Sequence, residues 1–349
     1  MSQGPRDPNH THDPDTANTG VLARVTRSDR LESWHRGALV VIENGDVVFA
    51  IGDPEQMVYA RSAVKPLQAL PLLERGVAGR LQLSTPELAL LSASHNATPQ
   101  HVEVVRGLLE KGGFGEDDLL CGPHAPFDQR AALDIAQSGA KPQKIHNNCS
   151  GKHAGFLMLA RELGVDSSRY LDPDADSQQL IKQTVAEMAE VDPARMQVGL
   201  DGCGAPSFWM PLASIARAFA RLTNPDGLES VRARACRSML DAVTQEPVLL
   251  AGRGRLCTAL VTALPGRVYP KNGAEGIYAI GLAGRNLGMA VKVADGHERG
   301  YLPVVVDALS ALGLFGEVPD GLRHFHRVPI HNTQKRRVGE VTCAVAWPW

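Results

Sequence analysis

The sequence has no long apolar run, few aromatic residues and almost no charge excess. Aromatic residues make up 5% of its 349 residues, and the formal net charge is −2. A helix that crosses a bilayer needs roughly 20 mainly apolar residues, and no segment of the chain provides them. The chain also lacks the basic stripe with interleaved aromatics that is typical of nucleic-acid-binding domains. We therefore expect neither a membrane nor a nucleic acid as a partner.

The first 20 residues contain no apolar segment. They are rich in Asn, Asp, Pro, Thr and His, whereas a secretory signal contains an apolar region of roughly 7–15 residues. With almost nothing to bury, residues 1–20 are predicted to form a disordered tail. The lack of an export signal predicts a cytoplasmic protein, in which the six cysteines would be reduced thiols.

Patterns typical of strands lie at both ends of the chain, and patterns typical of helices lie between them. Residues 22–53 contain apolar runs on both sides of Asn44-Gly45, a strong hairpin signal, and short apolar segments return after Pro247. We predict strands over 37–43, 47–51, 256–264, 276–282, 289–293 and near 338–347. We predict helices over 62–74, from Ser84, and over 99–112, 150–163, 177–190, 206–222, 228–244 and 301–312.

This order of elements predicts an α+β fold whose mainly antiparallel sheet is built from both chain ends. After the tail of residues 1–20, we expect residues 21–349 to form a single domain. Residues 21–60 and 247–349 would supply the sheet region, and residues 61–246 would form a mainly helical region inserted between them.

The segment Ser62-Ala-Val-Lys65 opens the first predicted helix after the hairpin. Residues at i and i+3 share a helix face, so the Lys65 amine is expected to reach the Ser62 hydroxyl. A serine becomes a good nucleophile when a base removes its proton, and a lysine is such a base when burial or a second cation lowers its pKa. Ser-x-x-Lys also occurs by chance in amphipathic helices, which is the alternative interpretation.

Two further segments follow in the chain order found in penicillin-recognising serine enzymes. The segment Ser94-His-Asn has the form Ser-x-Asn, and Lys271-Asn-Gly lies between two predicted strands, like the Lys-Thr-Gly element of those enzymes. Asn272 replaces the usual Thr, and Ser94 follows Ser62 more closely than in most β-lactamases. These departures argue against a β-lactam substrate. The alternative for Lys271 is a solvated lysine at a strand end.

Two glycine-containing segments each carry one cysteine: HNNCSGKHAG, which begins at His146, and DGCGAP, which begins at Asp201. The first is not a phosphate-binding loop, because His146 stands where that motif requires Gly and a histidine follows Lys152. Two thiols with a nearby nitrogen donor suggest zinc, and two buried structural cysteines are the alternative. The second segment is expected to open a helix at Pro206.

Together with Arg61-Ser-Ala-Val-Lys-Pro-Leu-Gln68 and Ser92-Ala-Ser-His-Asn96, these two segments resemble the rhizobial-type L-asparaginases. The resemblance extends from about Val21 to the C-terminus, and the block His146-Asn-Asn-Cys-Ser-Gly-Lys-His153 is highly specific to that family. It implies a fold similar to that of the serine β-lactamases and the related glutaminases. It also implies a homodimer.

The resemblance further implies the composition of an active site. The implied Ser–Lys pairs are Ser62 with Lys65 and Ser94 with Lys271. One Zn²⁺ per chain would assist substrate binding, with water completing a shell formed by Cys149, Lys152 and Cys203. The charged α-amino and α-carboxylate ends of the substrate would be held by Arg61 and Asp201. The other residues implied to line the site are Asn148, His153 and Cys257.

The reaction that the resemblance implies is the hydrolysis of L-asparagine to L-aspartate and ammonia. Ser62 would attack the side-chain amide while neutral Lys65 takes its proton, and Ser94 is the alternative nucleophile. Backbone N–H groups near Ser62 would stabilise the oxyanion. The other functions left open are a β-lactamase or penicillin-binding-like serine hydrolase, a glutaminase and a non-catalytic zinc-binding module.

Overall fold

Strands from both ends of the chain pair in one antiparallel sheet. The structure is a computed structural model that describes residues 18–349. Most of the predicted tail, residues 1–17, lies outside the described residues. The strands are β1 (Gly20–Arg27), β2 (Arg30–Glu43), β3 (Asp46–Ile51), β4 (Met57–Tyr59), β5 (Gln197–Leu200), β6 (Pro206–Pro211), β7 (Val268–Asn272), β8 (Ile277–Leu282), β9 (Leu287–Val293), β10 (Val328–His331) and β11 (Arg337–Cys343).

The main sheet has the strand order β10-β11-β1-β2-β9-β8-β7, and β3 also pairs with β2. The predicted hairpin at Asn44-Gly45 is confirmed: Glu43 faces Asp46, and both turn residues have the positive φ that a two-residue hairpin turn favours. Because β2 pairs with β1 on one side and β9 on the other, the sheet joins the two ends of the chain. A smaller antiparallel sheet has the order β4-β6-β5.

The helices lie mainly between β4 and β7, as the sequence predicts. The capping box at Ser84 is present, since its backbone N–H donates to the Glu87 carboxylate at 2.6 Å. The helices are α1 (Lys65–Glu74), α2 (Val77–Arg80), α3 (Thr85–Leu91), α4 (Pro99–Gly112), α5 (Gln129–Gln137), α6 (Ser150–Glu162), α7 (Asp176–Ala189), α8 (Leu212–Thr223), α9 (Ser230–Gln245), α10 (Pro247–Leu250), α11 (Leu256–Ala263), α12 (Leu302–Ala311) and α13 (Asp320–His326). None of the helices within residues 18–349 combines the length and apolar character needed to cross a bilayer.

Helix α8 packs directly on the main sheet because two glycines allow a close approach. A Cβ at Gly288 on β9 would lie 1.9 Å from the carbonyl oxygen of Ala216, and a Cβ at Gly281 on β8 would lie 2.2 Å from that of Phe219. These distances are far inside van der Waals contact, so a larger residue at either position would push the helix off the sheet. The contact fixes the helical region against strands from the C-terminal part of the chain.

Two sequence predictions are wrong. Residues 256–264 form helix α11 instead of a strand, because a short apolar run has no periodicity that separates a buried strand from a buried helix. Residues 206–211 form strand β6 instead of the start of a helix, and helix α8 begins only at Leu212. Pairing with β4 and β5 outweighs the local signal of Pro206. The sheet therefore resumes at β7 and not at residue 247.

Candidate active site

The two serines singled out in the sequence line one cleft of about 440 Å³, together with Asn148 and Asn272. Ser62 lies in a 3-10 turn between β4 and α1, and Ser94 lies in the loop after α3. A Cβ at Gly273 would lie 3.2 Å from the backbone nitrogen of Ala63. The absence of a side chain at Gly273 therefore allows the end of β7 to lie beside the Ser62 turn.

Two buried lysines meet at the Ser94 hydroxyl. The Lys65 Nζ lies 3.0 Å from the Ser94 Oγ and 2.7 Å from the Ala93 carbonyl oxygen. The Lys271 Nζ lies 2.8 Å from the same Oγ and 2.7 Å from the Asn272 carbonyl oxygen. The exposed fraction of both lysines is 0%. A serine hydroxyl between two amines can exchange a proton with either of them.

The Ser62 hydroxyl has a different environment from the one predicted. The sequence spacing predicts a Lys65–Ser62 contact, but Lys65 extends from the first residue of α1 to Ser94 instead. Within residues 18–349, no protein group forms a hydrogen bond with the Ser62 hydroxyl, which faces the cleft. The alternative interpretation of Lys271 as a solvated lysine is wrong, because this side chain is fully buried.

The pKa of Lys271 lies well below that of an ordinary lysine. Burial, assisted by the positive charge of Lys65, lowers its pKa to about 7. Burial disfavours the charged amine because the protein interior solvates an ion poorly. Near neutral pH, Lys271 therefore has a large neutral fraction and can accept a proton through Ser94.

A second buried cluster contains Cys149, Lys152 and Cys203. Cys149 precedes the first residue of α6, Lys152 lies in the first turn of this helix, and the Lys152 Nζ donates to the Cys203 sulfur at 3.3 Å. A hydrogen bond from Cys203, with the charges of Lys65 and Lys152, holds the pKa of the Cys149 thiol well below its ordinary value despite burial. The same hydrogen bond between the two cysteines, together with burial, raises the pKa of the Cys203 thiol.

This donor set fits zinc. Two sulfurs and one amine converge, and three protein ligands with one open position are typical of catalytic zinc sites. Within residues 18–349, no group of three or more His, Cys, Asp and Glu side chains is arranged to hold a metal, so zinc at this cluster would depend on the Lys152 amine as a third ligand. Burial lowers the pKa of Lys152, but the charges of Cys203 and Cys149 raise it more. A metal would therefore have to displace a proton from this amine.

Arg61 and Asp201 form an ion pair with each other, with 2.8 Å between Arg61 Nη2 and Asp201 Oδ1. Burial raises the pKa of Asp201, but the charges of Lys152 and Arg61 lower it more, so the carboxylate is ionised. Arg61 has a φ of 48°, a left-handed conformation that costs a residue with a side chain roughly 1–3 kcal/mol. The ion pair holds this strained residue directly before Ser62.

The three remaining predicted site residues occupy different places. Asn148 lines the cleft, and its side-chain oxygen accepts a hydrogen bond from the Cys149 thiol at 3.3 Å. His153 is fully buried with Nδ1 2.7 Å from the Tyr170 hydroxyl, and burial holds its pKa well below the ordinary value. Cys257 lines a smaller adjoining pocket of about 60 Å³, with its sulfur 3.5 Å from the Tyr278 hydroxyl.

The sequence analysis missed the charged residues that line the cleft, namely Arg255, Glu275 and Glu298. Arg255 also lines the smaller pocket, and its Nη1 donates to the Asn96 side-chain oxygen at 3.1 Å. The only signal in the sequence is the segment Gly252-Arg-Gly-Arg255, whose two glycines both have positive φ. That pattern marks a turn and gives no indication of a ligand.

The family described as L-asparaginase II has a sequence profile that matches residues 23–343. No curated protein is significantly similar to the chain. Among solved structures, it is similar to a putative β-lactamase from Bacteroides dorei, with 17% identity and a TM-score of 0.39, covering 74% of this chain and 87% of that one. It is also similar to a β-lactamase from Mycobacterium bovis, with 17% identity and a TM-score of 0.41, covering 79% and 94%.

A class C β-lactamase is a further solved structure to which the chain is similar, with 14% identity and a TM-score of 0.43, covering 79% of this chain and 90% of that one. These likenesses concern the arrangement of helices and strands and say nothing about a substrate. The family profile is the stronger finding, because it spans both serines, both lysines of the Ser94 network and the cysteine cluster. The protein belongs to the L-asparaginase II family.

Proposed function

We propose that the protein hydrolyses L-asparagine to L-aspartate and ammonia by Ser–Lys catalysis. Family membership supports an amide hydrolase, and the choice of L-asparagine is our proposal. The observation that carries the chemistry is the pair of buried amines on the Ser94 hydroxyl, since Ser94 lines the same cleft as Ser62. Such a group of nucleophile and bases is what acyl transfer requires.

In the proposed mechanism, Ser62 is the nucleophile because its hydroxyl faces the cleft and is free to turn toward a substrate. The oxygen attacks the side-chain amide carbon while its proton passes to Lys65, which has first given up a proton of its own through Ser94 to Lys271. Hydrogen bonds of this kind often tighten only when the substrate is bound. The backbone N–H of Ser62 lies in the first turn of a helix, where amides lack intrahelical partners, and is proposed to stabilise the oxyanion.

The Ser94 network is proposed to prepare Lys65 as the base by taking a proton from it through Ser94 to Lys271. Lys65, Ser94 and Lys271 form a continuous chain of hydrogen bonds, along which a proton can move from one amine to the other. Lys65 then returns its proton to the leaving nitrogen as the C–N bond breaks, which releases ammonia and leaves an ester on Ser62. Water attacks this ester while its proton passes to Lys65, and Lys65 returns that proton to the Ser62 Oγ as the ester bond breaks and aspartate leaves.

Cys149, Lys152 and Cys203 are proposed to hold one Zn²⁺ with water in the open position. A bound zinc would supply positive charge for holding a carbonyl oxygen of the substrate. The Ser–Lys network already supplies a nucleophile, so the cluster is proposed to act in substrate binding. The ion pair of Arg61 with Asp201 is proposed to hold the strained turn that presents Ser62.

Other sequence expectations remain proposals of the same kind. These are a single catalytic domain over residues 21–349, a homodimer and a cytoplasmic location. Direct contact of Asn148, His153 and Cys257 with the substrate also stays a prediction, and so does that of Arg61 and Asp201, for which it competes with the role of their ion pair on the Ser62 turn.

Ammonia release from a panel of amides tests the proposed function. The panel contains L-asparagine, L-glutamine and a simple aliphatic amide, and a fluorescent penicillin is used in parallel to detect acylation. The proposal expects turnover of L-asparagine that is lost in the Ser62→Ala variant, and no stable penicillin adduct. Penicillin hydrolysis without ammonia release from L-asparagine would contradict it, as would full activity of Ser62→Ala and Ser94→Ala.

A further inference from the structure

The charges that line the cleft are not those that the sequence analysis assigned to the substrate. Among the described residues, neither Arg61 nor Asp201 lines the cleft, and each neutralises the other. Arg255 and Glu298 do line it, and both also line the adjoining pocket. A ligand that lies against Ser62 is therefore exposed to the Arg255 cation and to the carboxylates of Glu275 and Glu298, of which only Glu298 also lines the adjoining pocket with Arg255.

Arg255 has the properties of an anion-binding residue without an anion. Its guanidinium is half-buried, and within residues 18–349 it has no carboxylate within ion-pair distance. The neutral Asn96 side chain accepts one of its N–H groups at 3.1 Å, and the ring of Phe127 lies 6.0 Å away. A guanidinium has five N–H donors in a planar fork, so the remaining donors are available to a carboxylate, which this fork matches in geometry.

The start of helix α11 adds to the positive potential at this position. Helix α11 begins at Leu256, directly after Arg255, and no side chain caps its first turn. The N-terminus of a helix carries a partial positive charge and unpaired N–H groups. Two residues of that first turn, Leu256 and Cys257, line the same pocket as Arg255. The guanidinium and the helix terminus therefore favour an anion at one place.

Glu298 supplies the opposite charge nearby. It begins a 3-10 turn before α12 and is exposed. Burial, together with the Glu298 carboxylate, raises the pKa of Tyr301, which lines the same two pockets. Within the described part of the chain, Glu298 has no cation within ion-pair distance. Arg255 and Glu298, which line both the cleft and the adjoining pocket, thus present charges of opposite sign to one ligand, which is the complement of a zwitterion.

We propose that Arg255 binds the α-carboxylate of the substrate and that Glu298 binds its α-ammonium. This inference rests on the proposed function and specifies which residues select an α-amino acid. The amide end would then lie toward Ser62, since the same cleft contains both serines. Arg255 and Glu298 are thus assigned as specificity residues, and the ion pair of Arg61 with Asp201 acts on the turn of Ser62.

Substrates that lack one charged group provide the test. 3-Aminopropanamide is asparagine without the carboxylate, and succinamate is asparagine without the ammonium. Arg255→Ala should raise the KM for L-asparagine by roughly 10- to 100-fold with little change in kcat, because a hydrogen bond to a charged group is lost in both the ground state and the transition state. Arg255→Ala should also lower kcat/KM for succinamate, which keeps the carboxylate, and leave kcat/KM for 3-aminopropanamide unchanged.

Glu298→Gln should show the opposite selectivity. We expect Glu298→Gln to lower kcat/KM for L-asparagine and 3-aminopropanamide, which carry the ammonium, and to leave kcat/KM for succinamate unchanged. Arg255→Lys should recover part of the loss, since it keeps the charge and loses the fork. Arg253→Ala is the matched control, because Arg253 is exposed two residues away, lines only an outer recess and should behave like wild type.

Binding separates this inference from the proposed function. Calorimetric titration of L-asparagine into Ser62→Ala protein, with and without Arg255→Ala or Glu298→Gln, needs no turnover. Binding that weakens with either substitution supports the inference even if wild-type protein releases no ammonia, a result that would reject only the proposed function. The inference would be overturned if either substitution lowered kcat/KM equally for all three amides. It would also be overturned if L-asparagine did not bind, or bound with the same affinity when Arg255 is replaced by Ala.

Discussion

Two buried lysines of this protein, Lys271 and Lys152, have pKa values that are shifted in opposite directions. The exposed fractions are 0% for Lys271 and 3% for Lys152. Lys271 faces Ser94 and the cation of Lys65, and its pKa falls to about 7. Lys152 faces two thiols and Asp201, and its pKa rises above the ordinary value even though burial opposes this. Burial therefore does not determine the charge of a lysine, because its partners decide whether the cost of desolvation is offset.

The comparison explains how one site can hold two kinds of chemistry side by side. The lysine that faces another cation is suited to accept protons, and the lysine that faces thiols is suited to stabilise negative charge. Lys65 links the two regions, since it contacts Ser94 and also helps to hold the pKa of Cys149 low.

Removal of groups from the proton-transfer region should have the largest effect. Ser62→Ala and Lys65→Met should each lower kcat on the order of 10³-fold, because nucleophile and base act as one unit. The double variant should be little worse than either single variant. Methionine replaces the buried lysine with a side chain of similar length, and circular dichroism and thermal melting would show that the fold persists.

The two serines can be distinguished by the same assay. Near-normal activity of Ser62→Ala together with an inactive Ser94→Ala variant would exchange their roles. Full activity of Lys65→Met would contradict the proposed base.

Changes in the cysteine region should remove the metal and spare the Ser–Lys network. Protein purified without chelator should contain about one zinc per chain. Cys149→Ser and Cys203→Ser should abolish zinc binding and raise the KM more than they lower kcat. Cys236→Ser is the matched control, because Cys236 is a free, buried cysteine on α9. Metal analysis by mass spectrometry makes the measurement. Zinc-free native protein with Cys149 and Cys203 joined by a disulfide would contradict the site.

The distance between substrate anchors and nucleophile can be tested with a longer substrate. L-Glutamine carries the same α-groups with one additional methylene, so its amide carbon is displaced from Ser62 when the α-groups are bound. We expect kcat/KM to favour L-asparagine by roughly 10- to 200-fold, the range that one methylene provides. Equal or better kcat/KM for L-glutamine would reject the choice of substrate and leave the arrangement of the site intact.

The pH dependence of activity should show the smallest effect. Lys271 must be neutral to accept a proton, and its pKa is lowered to about 7. Below this pH the amine is protonated, so kcat/KM should fall about tenfold per pH unit. Above it the neutral amine predominates, and kcat/KM should level off. A rise in activity that continues to pH 10 would indicate a base with an ordinary lysine pKa.

The sequence predicts the sheet well because its signals are local. Asn44-Gly45 requires positive φ at both residues, and the apolar runs beside it fit paired strands. The strand prediction for residues 256–264 is wrong because an apolar run of this length is compatible with either a helix or a strand when it is buried. The helix prediction for the residues of strand β6 is wrong for a different reason, because pairing with β4 and β5 determines their conformation.

The candidate site is predictable in its residues and less so in its contacts. The motifs single out Ser62 and Ser94, which line one cleft, and Lys271, which contacts Ser94, whereas the catalytic roles of these residues stay predictions. The spacing of Ser62 and Lys65 predicts a contact within one helix, yet Lys65 bonds to Ser94 because the fold brings the loop after α3 to it. Arg255 belongs to no motif, and only the cleft shows that its guanidinium faces a ligand space.

Lysine titration by NMR tests the central claim most directly. Protein with ¹³C-labelled lysine is titrated from pH 5 to 10, and the Cε signal of Lys271 is assigned by its loss in Lys271→Met. The lowered pKa predicts one lysine signal with a midpoint near 7, at a pH where exposed lysines remain charged. A Lys271 signal that stays in the charged position up to pH 9 would contradict the proposed proton transfer through Ser94.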